Sequence, residues 1–416
     1  MTLHKLLQQL DFERLAGTAG EERAQDVICG WLRQQGLEPS LEPFEFKGFE
    51  AGTAKITAGK QSWEATPYGL CPDADLEGEL VFLENADVLM LNPGMHEDKI
   101  VLYYHSGFRL HELVEHTRVK AFIGISAPLK QAYSFSHRQN TAPSELVPSV
   151  MLRYDYAEKL MRLSGKQIRL QIRQQTEDRT ARNIVLDIPG KGRDGNLTML
   201  VGHYDTVARS HGACDNAGGT VCLMKAAEFF TRHQPQRDLR LVWFSGEELG
   251  LLGSFAYAEA HQEEIKKRLR LVVNVDLAGD PIGRNTMFVL GSKELLGYSG
   301  GILKEHSLIF SERLGIYSSD CMPFSIYEIP SLNLARVGGK ALFYGHTADD
   351  VAKHTSEYGL TDVYQASVAL LQRILNAGYY PVPRGIDDSL REKIESYIWN
   401  STLQKPELHW KEKYRR

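Results

Sequence analysis

From Asn183 onward, short and nearly continuous apolar runs alternate with stretches of helical period. Leu197–His203, Leu239–Ser245, Leu271–Asp276 and Met287–Gly291 have the length and apolar density of strands buried on both faces. Gly218–His233, Gly250–Gln262, Glu294–Leu314 and Leu360–Asn376 carry apolar side chains at the three- and four-residue spacing of helices. The alternation predicts an α/β fold with a mixed, largely parallel central sheet flanked by helices. Nearer the N-terminus, Val27, Ile28, Trp31 and Leu32 share one helical face. Thr18 and Glu21 sit where a capping box would open that helix, and Gly36 would end it. Leu41–Phe46 then alternates like a strand.

Between 47 and 180 the texture changes. Glu79–Leu83, Ile100–Tyr104, Ala121–Ile125 and Gln167–Ile172 read as short strands, and Leu110–His116 and Tyr154–Leu163 as short helices. Tyr133–Glu145 is a polar run that reads as loop, and no dense cluster of reactive side chains falls in this stretch. The pattern predicts one α/β domain built from residues 1–46 and 181–381. A small inserted α+β or all-β domain would span 47–180, and a charged, aromatic C-terminal extension 382–416 would serve as a cap or a homo-oligomer contact.

Composition narrows the partners. The 416 residues are 43% hydrophobic and 24% charged, an ordinary balance for a chain with a sizeable core. With 48 Lys and Arg against 53 Asp and Glu, the net charge of -5 gives no global drive toward nucleic acid. No run approaches the roughly 18 apolar residues of a membrane span. Lys5, Asp11, Glu13 and Arg14 interrupt the apolar core a signal peptide needs. Cys29, Cys71, Cys214, Cys222 and Cys321 are odd in number and lack CxxC spacing, which suits a reducing cytoplasm.

The acids and histidines are placed more tellingly than the rest. His203 and Asp205 end one predicted strand, Glu247 and Glu248 the next, and Asp276 the one after. Asp215 lies in the turn before a helix, and His346 in a later loop. In α/β sheets, sites form at the carboxyl ends of strands. Carboxylates gathered there need raised pKa values or a cation. Imidazole and carboxylate donors without thiolate suit zinc, with manganese or cobalt as alternatives. Two histidines and three carboxylates serve two ions about 3.5 Å apart if one carboxylate bridges. Of the adjacent pair Glu247 and Glu248, one can then bind metal while the other faces the reacting water.

The ordered set His-x-Asp, Asp-Asn, Phe244-Ser-Gly-Glu-Glu-Leu-Gly-Leu-Leu-Gly-Ser254, Asn-x-Asp and His-Thr-x-x-Asp resembles the M28 family of co-catalytic zinc peptidases. The resemblance implies a zinc-dependent exopeptidase fold, with residues 47–180 similar to the protease-associated domain often inserted there. It implies that His203 and Asp276 hold one zinc, Glu248 and His346 the other, and that Asp215 bridges. Glu247 would be the general base and acid acting on a metal-bridging hydroxide. Asp205 would accept from the second nitrogen of His203, and Asp350 would act similarly beside His346. A cis Asp215–Asn216 peptide is also implied. Gly345 stands where many members have a tyrosine, and Cys321 where others have a histidine, so Tyr317 becomes the candidate oxyanion donor and Tyr344 the reserve.

The implied activity is that of an aminopeptidase acting on peptide substrates. Alternatives on the same scaffold are a carboxypeptidase or dipeptidase, an amidohydrolase and a glutaminyl-cyclase-like acyl transferase. A non-catalytic receptor-like module would lack ligands that this chain retains. A carboxypeptidase would need a cation for the substrate carboxylate, for which Arg284, Arg313 and Arg336 are candidates.

Overall fold

A computed structural model describes residues 1–192 and 194–408; residue 193 and the end of the expected C-terminal extension, 409–416, lie outside the described residues. In chain order the strands are β1 (Ser40–Phe49), β2 (Thr53–Ala58), β3 (Gln61–Pro67), β4 (Ala74–Asn85), β5 (Ile100–His105), β6 (Ala121–Ile125), β7 (Ser149–Leu152), β8 (Gln167–Arg173), β9 (Thr176–Ile188), β10 (Leu197–His203), β11 (Asp238–Phe244), β12 (Leu269–Val275), β13 (Arg284–Leu290), β14 (Ser311–Leu314) and β15 (Ser331–Val337). They form an eight-stranded sheet of order β1-β9-β11-β10-β12-β15-β13-β14 and a closed barrel of order β2-β3-β7-β6-β5-β4-β8.

The apolar runs are continuous because both faces of the sheet are covered. Successive residues of a strand point to opposite faces. Leu239, Leu241 and Trp243 of β11 enter one core, with helices Ala19–Gln34, Gly218–Arg232 and Glu357–Asn376 packed there. Val242 and Phe244 enter the other, against helices Leu252–Ala260 and Arg391–Thr402. Ile394 and Ile398 of that last helix are buried, so part of the extension is a cap on the sheet. No helix among the described residues is long and apolar enough to cross a membrane.

The sheet is less parallel than expected. β11, β10, β12 and β15 run parallel, but β9 is antiparallel to both β1 and β11, and β13 is antiparallel to β15. The reason for the first reversal is the barrel. The chain leaves the sheet along β1 and returns along β9, and their register closes on the pair Phe49 and Thr176.

Three further departures have local causes. The helix expected over Glu294–Leu314 ends at Glu305, and Ser311–Leu314 forms an edge strand. Ser331–Val337 is a strand outside the expected set, because Ser331 and Asn333 interrupt its apolar pattern. Both are buried, and Asn333 Nδ2 donates to Ser331 Oγ at 3.1 Å. At Thr18 the capping box is not made: the hydroxyl donates to the Leu15 carbonyl, and Glu21 accepts from the backbone of Gly17 instead.

Within 47–180 the four expected strands are present, and β2, β3 and β7 join them to close the barrel. β2 and β3 are a hairpin with Ala58 opposite Gln61, and Ile56 and Trp63 face the barrel core.

Candidate active site

Parallel strands end together, and that alignment gathers the site. His203 of β10 pairs with Phe244 of β11, and Val275 of β12 with Leu334 of β15, so the residues that follow share one edge. Beyond β11 the chain must turn sharply, and Gly246 does so with φ of 69°. The buried Asn183 braces the turn. Its side chain accepts from the Ser245 backbone and donates to the Gly253 carbonyl. Asn216 staples the Asp215 turn to β12 in the same manner, donating to the Val275 carbonyl at 2.8 Å. The Asp215–Asn216 peptide is cis.

The structure brings His203, Asp215, Glu247, Glu248, Asp276 and His346 together. His203 Nε2 lies 3.3 Å from one oxygen of Asp215 and 3.3 Å from Asp276. His346 Nε2 lies 3.4 Å from the other oxygen of Asp215 and 3.0 Å from Glu248. Asp215 thus faces both imidazoles, one oxygen each.

These donors fit metal ions. A tetrahedral cation with ligand bonds of about 2.0–2.1 Å sets its donors about 3.3–3.4 Å apart. The groups His203, Asp215 and Asp276, and Asp215, Glu248 and His346, each bring one ligand atom per residue within 4.8 Å of the others. Among the described residues no lysine or arginine forms an ion pair with Asp215, Asp276, Glu247 or Glu248; histidine alone does so with three of them. A cluster of carboxylates without a fixed countercharge is suited to bound cations.

The electrostatics follow from this crowding. Burial works against charge on His203 and His346. The carboxylates outweigh it, Glu247 foremost for His203 and Glu248 for His346, and raise both imidazoles well above their ordinary range. Burial likewise opposes ionisation of Asp215, yet the two imidazoles hold it below the usual carboxylate range. For Glu247, burial pushes the carboxyl well up; His203 opposes, while Glu248, Asp276 and Asp320 add to the rise. Asp320, buried in the same cluster, is pushed up to about 7 by burial, with Asp205 and Asp276 adding.

Two acids take partners other than those expected. Asp205 Oδ1 is 3.6 Å from His203 Nδ1, too long for a hydrogen bond. Its oxygens instead accept the backbone N–H groups of Glu247 at 3.2 Å and Glu248 at 3.3 Å. Asp350 does not face His346. It accepts the backbone N–H groups of Cys214 at 2.9 Å and Asp215 at 3.1 Å. Arg14, fully buried, ties the loops on either side by donating to the carbonyls of Tyr204 and Gly212.

The tyrosines also differ from expectation. Tyr317 lies beside Asp276, but its hydroxyl donates to the Asp276 carbonyl at 3.1 Å. Tyr344 packs its ring on His354, 4.8 Å between centroids, and does not line the cavity. The cavity is lined instead by Tyr68 and Tyr103 of the barrel and by Tyr397 of the C-terminal helix, whose hydroxyl is 2.8 Å from Ser318 Oγ.

Glu247, Glu248 and His346 open onto a cavity of about 530 Å³ between the sheet edge, the barrel and the C-terminal helix. The barrel loop that reads as a featureless polar run forms one wall. Ser134 donates its backbone N–H to the His346 carbonyl at 2.9 Å, and Phe135 meets the His346 ring edge to face. Arg138 and Arg109 line the same cavity. Arg284, Arg313 and Arg336 do not: Arg336 is spent on Asn285 and the Asp280 carbonyl, Arg313 lies over Phe288, and Arg284 is exposed. No motif or spacing marks Arg138 or Tyr397, because their place at the site depends on how the barrel and the extension fold back.

The family model "Peptidase family M28" matches residues 183–371. Over 373 residues the chain is 24% identical to aminopeptidase YwaD of Bacillus subtilis, covering 83% of this chain and 77% of that one. It is 31% identical to leucine aminopeptidase 2 of Arthroderma otae over 285 residues, 66% of this chain but only about half, 56%, of that relative's length. The solved structure of BSAP, a zinc aminopeptidase from Bacillus subtilis, superposes with a TM-score of 0.75 at 20% identity, covering 94% of this chain and 98% of that one; it shares the fold. Every side chain of the two imidazole–carboxylate groups falls within residues 183–371, the stretch of the chain that matches the model of peptidase family M28.

Proposed function

We propose that this protein is a two-zinc aminopeptidase that hydrolyses the N-terminal peptide bond of peptides. The observation that carries the reading is Asp215, whose two oxygens face separate imidazole–carboxylate groups while Glu247 stands beside them at the mouth of the cavity. His203 and Asp276 would hold one zinc, Glu248 and His346 the other, and Asp215 both; manganese or cobalt suits the same donors. Such ions supply Lewis acidity and countercharge when bound. Glu247 takes a proton from the attacking water at its carboxylate and returns it to the leaving amine. Burial raises its pKa, the direction that favours returning the proton to the leaving amine. Asp205 fixes the turn that aims Glu247 and Glu248. The carboxylate-rich wall suits the free ammonium of a peptide's first residue, in keeping with the names of YwaD and leucine aminopeptidase 2. A dipeptidase is the second reading, and it has the arginines of the cavity wall in its favour.

Glu247→Gln tests the assignment. We expect unchanged zinc content by mass spectrometry and a kcat lowered by about 100- to 10,000-fold, the usual contribution of a general base. Near-normal turnover in this variant would remove Glu247 from the reaction. In the wild-type protein, aminoacyl p-nitroanilides should be cleaved and their N-acetylated counterparts should not; equal rates on both would overturn the aminopeptidase assignment.

A further inference from the structure

Arg138 is a half-buried cation facing a cavity, with no carboxylate in contact with it. It sits on the barrel loop, and its Nη1 is 3.7 Å from the point where a side chain on Gly250 would begin, three residues past Glu247. Among the described residues its guanidinium makes neither an ion pair nor a hydrogen bond. A second guanidinium, Arg109, lines the same wall, and among the described residues its side chain donates to the Asn400 carbonyl alone, at 3.4 Å. Burial first, and then the neighbouring Arg109, push Arg138 below its ordinary basicity. Arg209, the third arginine of the lining, is engaged with the Gly52 carbonyl. Glu247 and Glu248 are the acids that reach the cavity; the charge of Glu247 is felt at Arg138, but neither acid forms an ion pair with it.

Removing a guanidinium from water without a partner is unfavourable, and placing a like charge beside it makes it more so. An anion entering the cavity would offset that cost. A planar guanidinium fork matches a carboxylate in two parallel hydrogen bonds. We propose that Arg138, backed by Arg109, is a specificity-determining residue that binds a carboxylate of the substrate, so that peptides carrying a carboxylate close to the scissile bond are preferred. The carboxylate can be the C-terminus of a di- or tripeptide, or an acidic side chain next to the bond. The assignment rests on the peptide-hydrolysing role of the site.

The test compares alanyl-alanine with alanyl-alaninamide, and glutamyl- and alanyl-glutamyl amides with their glutamine counterparts, with leucine p-nitroanilide as an uncharged control. In the wild-type protein the carboxylate-bearing member of each responsive pair should have the lower KM. Arg138→Gln should raise that KM about tenfold, in line with the loss of hydrogen bonds to a charged group, and Arg138→Lys should recover part of it. The kcat and the p-nitroanilide hydrolysis should stay within about twofold. The dipeptide pair and the glutamate pairs report separately which source of carboxylate is read. Equal losses on charged and uncharged substrates would overturn the proposal.

A binding measurement separates this inference from the activity. The aminomethylene analogue of alanyl-alanine has no peptide bond to cleave. By calorimetry, its acid should bind the zinc-loaded protein about tenfold more tightly than its amide, and equally in Arg138→Gln. If the acid is preferred while no peptide is hydrolysed, the aminopeptidase reading falls and the carboxylate site stands. Hydrolysis without any preference for the acid removes the carboxylate site and leaves the aminopeptidase reading in place.

Discussion

Asp205 is fully buried, and its two oxygens receive the main-chain N–H groups of the Glu247–Glu248 turn. The side chains proposed as proton acceptor and as metal ligand are therefore aimed by the Asp205 carboxylate. In Asp205→Asn an amide NH2 replaces one acceptor and confronts a backbone donor. We expect zinc affinity, measured by competition with a chromogenic chelator, to fall about 10- to 100-fold, as when groups that support metal ligands are lost. An unchanged affinity would mean that the turn is held without this carboxylate. At this scale the gathering of these imidazoles and carboxylates at one sheet edge is legible in the sequence, since they fall at consecutive strand ends. What Asp205 and Asp350 contact is not legible. Both serve backbone donors, and a backbone N–H carries no mark in the amino-acid sequence.

The Arg391–Thr402 helix joins three parts of the molecule. Ile394 and Ile398 enter the core beside Phe244 and Phe324, Tyr397 reaches the cavity, and Asn140 of the barrel loop donates to the Thr402 carbonyl. Ile394 is fully buried, so Ile394→Ala leaves a void that neighbours fill only in part. Stability in urea should fall by about 2–5 kcal/mol, whereas the exposed Lys393→Ala should change it by less than about 0.5 kcal/mol. Equal midpoints for the two variants would mean that the helix is not part of the cooperative unit. Sequence patterning finds the strands with dense or regularly alternating apolar positions, β10, β11 and β8 among them. It misses β15, where Ser331 and Asn333 pair with each other inside the sheet. It also misses the β2–β3 hairpin, whose outward face is polar and whose inward face is carried by Ala54, Ile56 and Trp63.

Across the whole molecule, the acidic cluster couples metal, pH and stability. Asp350 is pushed up to about 6 and Asp320 to about 7, in each case by burial first, and Glu247 rises too. In the unfolded chain all three ionise near about 4. Between these values the folded, metal-free chain binds more protons than the unfolded one, so its stability falls as pH rises. The raised His203 and His346 act in the same sense. Their contribution is present below the unfolded value of about 6.5 and is lost as pH climbs through the folded one. Asp215, held low, titrates below this window. The Tm of chelator-treated protein should therefore decline from about pH 5 to about pH 8, while zinc-loaded protein changes far less. A metal-free Tm that climbs over that range would contradict the electrostatic picture. The fold class can be anticipated because one rhythm of apolar runs dictates it. The cavity cannot, since its walls come from segments distant in the chain. The barrel enters and leaves through neighbours on a single strand pair, Phe49 and Thr176. A gene that exchanges the intervening stretch for another of different shape would refit the mouth of the catalyst and leave the threading of its hydrolytic half undisturbed, so that what is admitted and how it is cut can vary independently.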